Sequence, residues 1–292
     1  MQQDQTSDYF INQELVEEMV RLNRQASLVT GEMGGVLPEP LDLARIESVL
    51  DLACGPGEWV MQLARACPHV RQVIGVDKSK RMIAYANANA QAEAEEERGV
   101  SFRVMDITQP LDFPDASFDL INGRFLLSFM RREQWPLLLS ECVRLLRPGG
   151  VLRISEQESG YTNDPTYQSY IDTWGEAWRK AGHAFALTRA YIGVTVVMKQ
   201  LMVEAGLVNP QHRPVSIDLS TGQPAHQALL ENLAEALHLA SPFLLKLGVI
   251  KQQRIHSLHS EMLGLIGKKG FSAYWVLQTV WAFKPGDSGQ AS

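Results

Sequence analysis

The chain has 292 residues, 45% of them hydrophobic, enough for one enlarged domain or a domain with an appendage. A formal charge of −6 argues against a nucleic-acid surface, which is normally basic. No apolar run approaches the roughly 18 residues of a membrane helix, and no secretory pattern opens the chain.

Three cysteines, Cys54, Cys67 and Cys142, form no C-x-x-C pair and read as reduced thiols, so a cytoplasmic location is expected. Residues 8–29 have helical periodicity, with Ile11, Leu15, Met19 and Leu22 among charged neighbours. Gly31, Gly34, Gly35, Pro38 and Pro40 then mark a joint, which closes a first segment, 1–40. A regular alternation follows: strand 48–53, helix 57–67, strand 72–77, helix 79–98 closed by Gly99, and strands 100–106 and 118–125. Helix 133–146 stops at the turn "RPGG", before strand 151–158. Val-, Ile- and Leu-rich strands alternating with helices predict an α/β fold whose mostly parallel sheet is covered on both faces. Residues 41–158 are thus expected to form a Rossmann-like core. Beyond it, 159–190 reads as helical and aromatic, 191–205 as a helix, 212–219 as a strand, 222–266 as mostly helical and 271–283 as a closing strand. Residues 159–292 would complete the sheet and add helical caps at about 159–190 and 222–270.

"VLDLACGPGEW" (49–59) runs from a buried strand into a glycine-rich loop at the sheet edge where open α/β folds bind ligands. Asp77 closes the second strand 20 residues after Gly57, the place of a carboxylate that accepts from ribose hydroxyls. Asp51 and Asp106 close the first and third strands in the same way. Three clustered acids call for a ligand that brings donors or a positive charge. A nicotinamide cofactor fits poorly: laid on G-x-G-x-x-G, the loop gives Ala53, Gly55 and Glu58, and Glu58 would repel a pyrophosphate at the helix start. A cationic nucleoside without phosphates, such as S-adenosylmethionine, suits these letters better.

"VLDLACGPGEW", "VIGVDKSKRMIAYA", "FRVMDI", "FPDASFDLINGRF" and "LLRPGGVLRISE" stand in the order and spacing of the Rossmann-like (class I) S-adenosylmethionine-dependent methyltransferases. The chain resembles their small-molecule branch over about 45–158, with Ala53 in place of the usual first glycine. The resemblance implies a seven-stranded sheet with an antiparallel last strand. It also implies that Asp51 and the backbone of Ala53, Cys54, Gly55 and Gly57 hold the methionine part of S-adenosylmethionine. Asp77 would take the ribose hydroxyls, Lys78 and Met82 would lie along the adenosine, and Asp106 and Ile107 would meet the adenine. Asn122, Gly123 and Arg124 would lie under the sulfonium. Cys54 reads as a space-filler, because displacement at a sulfonium methyl needs no enzyme nucleophile.

The expected reaction moves a methyl group to O, N or C of a small apolar or aromatic metabolite, of the kind met in secondary metabolism. The alternative is an S-adenosylmethionine-binding protein without transfer, isomerase- or cyclase-like or a partner subunit. Strand four lacks the Asn/Asp-Pro-Pro-Tyr/Phe pattern of nucleobase methylation, which again argues against nucleic acid. Tyr167, Tyr170, Trp174 and Trp178 fall on one helix stripe, either packing against the sheet or walling a substrate pocket. Tyr161 would join that wall. The N-terminal helix would be a lid hinged at 31–35, bringing Tyr9, Arg21 and Gln25 to the substrate, or else would pack on a second copy in a homodimer. Glu156 and His183 are the candidate bases. His256 and His259, with only Glu261 near in sequence, do not suggest a metal site.

Overall fold

A computed structural model describes residue 11 and residues 15–93, 99–186 and 191–286. Strands β1 (Ser48–Leu52), β2 (Gln72–Asp77), β3 (Val100–Val104), β4 (Phe118–Arg124) and β5 (Leu146–Gln157) are parallel, in the order β3-β2-β1-β4-β5. β8 (Ala273–Phe283) runs antiparallel between β5 and β7 (Val208–Asp218). The eighth strand, β6 (Tyr161–Thr162), is a two-residue pairing with Ala273 and Tyr274, so the sheet has one short strand more than the seven expected. It arises because the chain leaves β5 alongside the start of β8 before helix α5 (Pro165–Ala181) begins.

The sheet is Rossmann-like, with helices on both faces. Val49, Val73, Leu120 and Val151 pack with Trp59, Leu63 and Ala86 on one face. Leu50, Leu52, Ile121 and Leu152 pack with Leu138, Cys142 and Met198 on the other. Both neighbours in each strand are therefore buried, as continuous apolar runs require. The remaining helices are α1 (Val16–Glu32), α2 (Glu58–Ala66), α3 (Lys80–Ala92), α4 (Trp135–Leu145), α6 (Val194–Glu204), α7 (His226–Leu239), α8 (Ser241–Lys246) and α9 (Gln252–Gly264).

Three local expectations change. α1 continues through Gly31, and the positive φ values of the joint fall at Gly34 (87°) and Gly35 (118°). "RPGG" lies inside β5, where it detours from β4 between the pairs Phe118–Leu146 and Leu120–Val151. The third strand stops at Val104, which puts Asp106 two residues into the following loop. There its Oδ1 accepts from the amide (2.9 Å) and hydroxyl (2.7 Å) of Thr108.

The strand order reverses between β1 and β4. Loops leaving the carboxyl ends of these two strands part in opposite directions and open a crevice.

Candidate active site

That crevice is the floor of a cavity of about 1510 Å³ measured out to its mouth. Leu52, Ala53, Cys54, Gly55 and Pro56 from the β1 loop, with Asp51, Asp77 and Met82, form one end. Tyr167, Tyr170, Trp174 and Trp178 from α5 form the other, and Arg21, Leu22, Gln25 and Ala26 from α1 close the top. A recess of about 270 Å³ continues from Ala53 and Asp77 to Lys78, Asp106 and Ile107. Asp51, Asp77 and Asp106 therefore do line one connected edge.

The β1 loop is shaped by contacts beneath it as much as by what lies above. Gly57 has φ 88°, and a Cβ there would come within 2.7 Å of the Phe102 ring. Its missing side chain is a packing requirement. Gly55 meets only Leu22 Cδ1, at 3.9 Å, and stays open toward the cavity. Ala53 holds φ 49°, a left-handed conformation that costs a non-glycine residue on the order of 1–3 kcal/mol. Cys54 tucks under the loop with Sγ 3.6 Å from the Gly55 carbonyl oxygen, and burial raises its thiol well above the ordinary range. The thiol is therefore held neutral.

Asp77 accepts from the Gly55 amide through Oδ2 (3.0 Å) and from the Ser79 amide through Oδ1 (2.8 Å). These bonds fix the carboxylate between the two loops, while burial raises its pKa. Asp51 accepts from Asn122 Nδ2 at 2.7 Å, and burial pushes its pKa up to about 7. Asn122 in turn accepts from Arg153 at 2.7 Å, and Arg153 forms a two-point pair with Glu39 at 2.9 and 3.0 Å. Asn122 and Gly123 thus lie below the cavity, and a Cβ on Gly123 would press to 2.9 Å from Leu126. Of the "NGR" letters, Arg124 alone lines it. Its guanidinium donates to Thr30 Oγ1 at 3.1 Å, and burial lowers its pKa to about 10.

The α5 stripe is both core and wall. Its four rings are 2–8% exposed, and their successive centroids are 5.7, 6.3 and 5.4 Å apart. Asp164 caps the helix by accepting from Thr166, with Pro165 at its first position. Arg21 binds both oxygens of Glu18 (2.6 and 2.8 Å), Gln25 (2.6 Å) and Asn232 of α7 (3.1 Å), which docks α1 over the opening.

Several expected residues stand elsewhere. Tyr161 is 65% exposed on β6, because its pairing to β8 turns it away from the cavity. Glu156 points into the face occupied by Leu126 and Leu127, whose amides donate to its Oε1 at 2.7 and 3.3 Å. Burial raises its pKa to about 8, and it does not line the cavity. His183 is also buried behind the wall, with Nδ1 2.7 Å from the Leu127 carbonyl oxygen. Tyr9 lies outside the described residues. Conversely, the cavity also includes Phe125, Gln157, Glu158 and Trp275. Phe125, Gln157 and Glu158 stand at the carboxyl ends of β4 and β5, a position that points to the cavity, whereas no local signal points to Trp275.

The donor set suits S-adenosylmethionine. Asp51, Asp77 and Glu58 make the loop end acidic, right for an ammonium, a sulfonium and ribose hydroxyls and wrong for a pyrophosphate. Among the described residues no group of three or more His, Cys, Asp or Glu is placed to hold a metal, and no helix is long and apolar enough to cross a membrane.

Comparison with known proteins agrees with this geometry. Residues 49–150 match the family described as "Methyltransferase domain". The chain is 29% identical over 140 residues to 27-O-demethylrifamycin SV methyltransferase of Amycolatopsis mediterranei, 48% of each chain. It is 26% identical over 180 residues to demethylmenaquinone methyltransferase of Bacillus licheniformis, 57% of this chain and 73% of that one. The chain thus spans about half the length of the first of these relatives. In fold it resembles Haemonchus contortus phosphoethanolamine N-methyltransferase 2, solved with phosphomonomethylethanolamine and S-adenosylhomocysteine. That match has a TM-score of 0.51 at 19% identity and covers 89% of this chain and 52% of that one. Residues 49–150 thus carry a methyltransferase domain, on a fold shared with the class I, Rossmann-like S-adenosylmethionine-dependent methyltransferases.

Proposed function

We propose that the protein transfers a methyl group from S-adenosylmethionine to a small, largely apolar or aromatic acceptor. The observation that carries this reading is the continuity of one cavity from the acidic β1 loop to the aromatic face of α5. The two bacterial relatives are named for 27-O-demethylrifamycin SV and demethylmenaquinone, which favours an organic small molecule over a macromolecule.

Asp77 would accept from the ribose hydroxyls, Asp106 and Ile107 would receive the adenine, and Asp51 would face the ammonium. Arg124 suits the carboxylate of the methionine part rather than the sulfonium, since a guanidinium and a sulfonium repel. When bound, S-adenosylmethionine supplies an electrophilic methyl carbon; the acceptor's lone pair forms the new bond as the sulfur–carbon bond breaks, leaving S-adenosylhomocysteine. The protein's part is to align the two molecules and keep water out. α1, held by the Arg21–Glu18–Asn232 cluster, serves as the lid for both tasks.

The test supplies S-adenosylmethionine with a panel of phenols, aromatic amines and conjugated ketones, and measures S-adenosylhomocysteine. Acceptor-dependent product is expected. Tight cofactor binding with no product from any acceptor would replace this reading with binding alone.

A further inference from the structure

We propose that the acceptor half of the cavity is a stacking platform with one hydrogen-bond donor, built by Phe125, Trp275 and Gln157. It selects a flat conjugated ring that carries an oxygen acceptor. The proposal rests on the methyltransferase reading above and names the chemistry of its acceptor.

Phe125 directly follows Arg124 at the end of β4, one strand over from the cofactor loop. It holds φ 56°, a conformation a bulky residue seldom takes and one the surroundings must enforce. The enforcement is visible: its amide donates to the Ser155 carbonyl at 3.0 Å. Its ring lies 5.8 Å from the Trp275 indole at 14°, a stacked pair. Both rings line the cavity. Two nearly parallel, stacked rings on a cavity wall offer a flat aromatic face on which a third flat ring can stack.

The donor follows from the chemistry of the indole. Trp275 Nε1–H can only donate, and it meets Gln157 Oε1 at 3.1 Å. The amide is thereby oriented oxygen to indole, which leaves its NH2 for a different acceptor at the cavity wall. An amide NH2 held this way recognises a carbonyl, ether or phenolate oxygen and gains nothing from a hydrocarbon. A site built around a donor penalises a ligand that leaves that donor unpaired.

The experiment measures binding of chromone and of naphthalene, bicyclic rings of one shape with and without oxygen, by equilibrium dialysis. S-adenosylhomocysteine is titrated alongside each protein. The wild type should bind chromone about fivefold more tightly than naphthalene, the worth of one net hydrogen bond. Gln157→Leu and, at pH 8.5, Gln157→Glu should erase that preference while leaving S-adenosylhomocysteine affinity within twofold. Trp275→Phe keeps a ring on Phe125 but frees the amide to turn, so the preference should shrink there too. Equal binding of the two probes by the wild type, binding of neither, or an undiminished preference in both Gln157 variants would overturn the platform. If those results came with normal S-adenosylhomocysteine binding, the cofactor site would stand and the platform alone would fall. A wild type that fails to bind S-adenosylhomocysteine would overturn the methyltransferase reading and this proposal with it.

Discussion

Asp51 sits 4% exposed at the end of β1, where burial opposes its charge. Burial raises its pKa from 3.8 to about 7, against the opposing pull of Arg124 and the Asn122 hydrogen bond. A raised carboxyl pKa means that the folded chain keeps Asp51 neutral through the weakly acidic range. The carboxylate appears as pH climbs through about 7, and it is the carboxylate that pairs with an ammonium. Cofactor affinity should therefore rise on the order of tenfold between pH 5.5 and 7.5. The Asp51→Asn variant should bind more weakly and show a flat profile over the same range. Isothermal titration at several pH values checks this, and a wild-type profile as flat as the variant's would remove Asp51 from the ammonium site.

The strands, helices and loops hold that carboxylate through a relay that crosses the sheet. Glu39, in the segment after α1, pairs with Arg153 of β5; Arg153 donates to Asn122 of β4, and Asn122 to Asp51 of β1. Glu39 and Arg153 are almost wholly buried, at 4% and 1% exposed. Removing one partner strands the other charge, so Glu39→Ala should cost about 3–5 kcal/mol in urea unfolding. A loss below about 1 kcal/mol would show that the pair is not structural. None of this relay was legible in the sequence, because its members lie up to 114 residues apart and share no motif. The parallel strands and the acids at their carboxyl ends were legible, since each is carried by a local pattern: an apolar run that ends at or near Asp51 and Asp77 or, for Asp106, two residues before it. The α5 stripe was legible too, from spacing alone. Glu156 and His183 misled because position along a strand or cap does not reveal which face of the sheet a side chain takes. Strand alternation sends Glu156 toward Leu126 and Leu127, and sends Gln157 to the cavity.

Across the whole molecule, the acidic end of the cavity is set by the sheet and the aromatic end by what is added to it. The parallel strands β1 to β5 and their loops carry Asp51, Asp77, Asp106 and Arg124. α1, α5 and α7 bring Arg21, Trp174 and Leu233 over the opening, and β8 brings Trp275 from near the end of the chain. β7 and β8 complete the sheet that β1 to β5 begin, with α7, α8 and α9 between them in the chain. Everything proposed for the acceptor depends on the acidic end being the cofactor site. Titration of S-adenosylmethionine into the wild type and into Asp77→Ala tests that most directly. The account predicts one site per chain in the wild type and at least a hundredfold weaker binding, on the order of 3 kcal/mol, once the buried ribose hydroxyls lose their charged acceptor. Equal affinity in the two proteins, or no binding to the wild type, would contradict it.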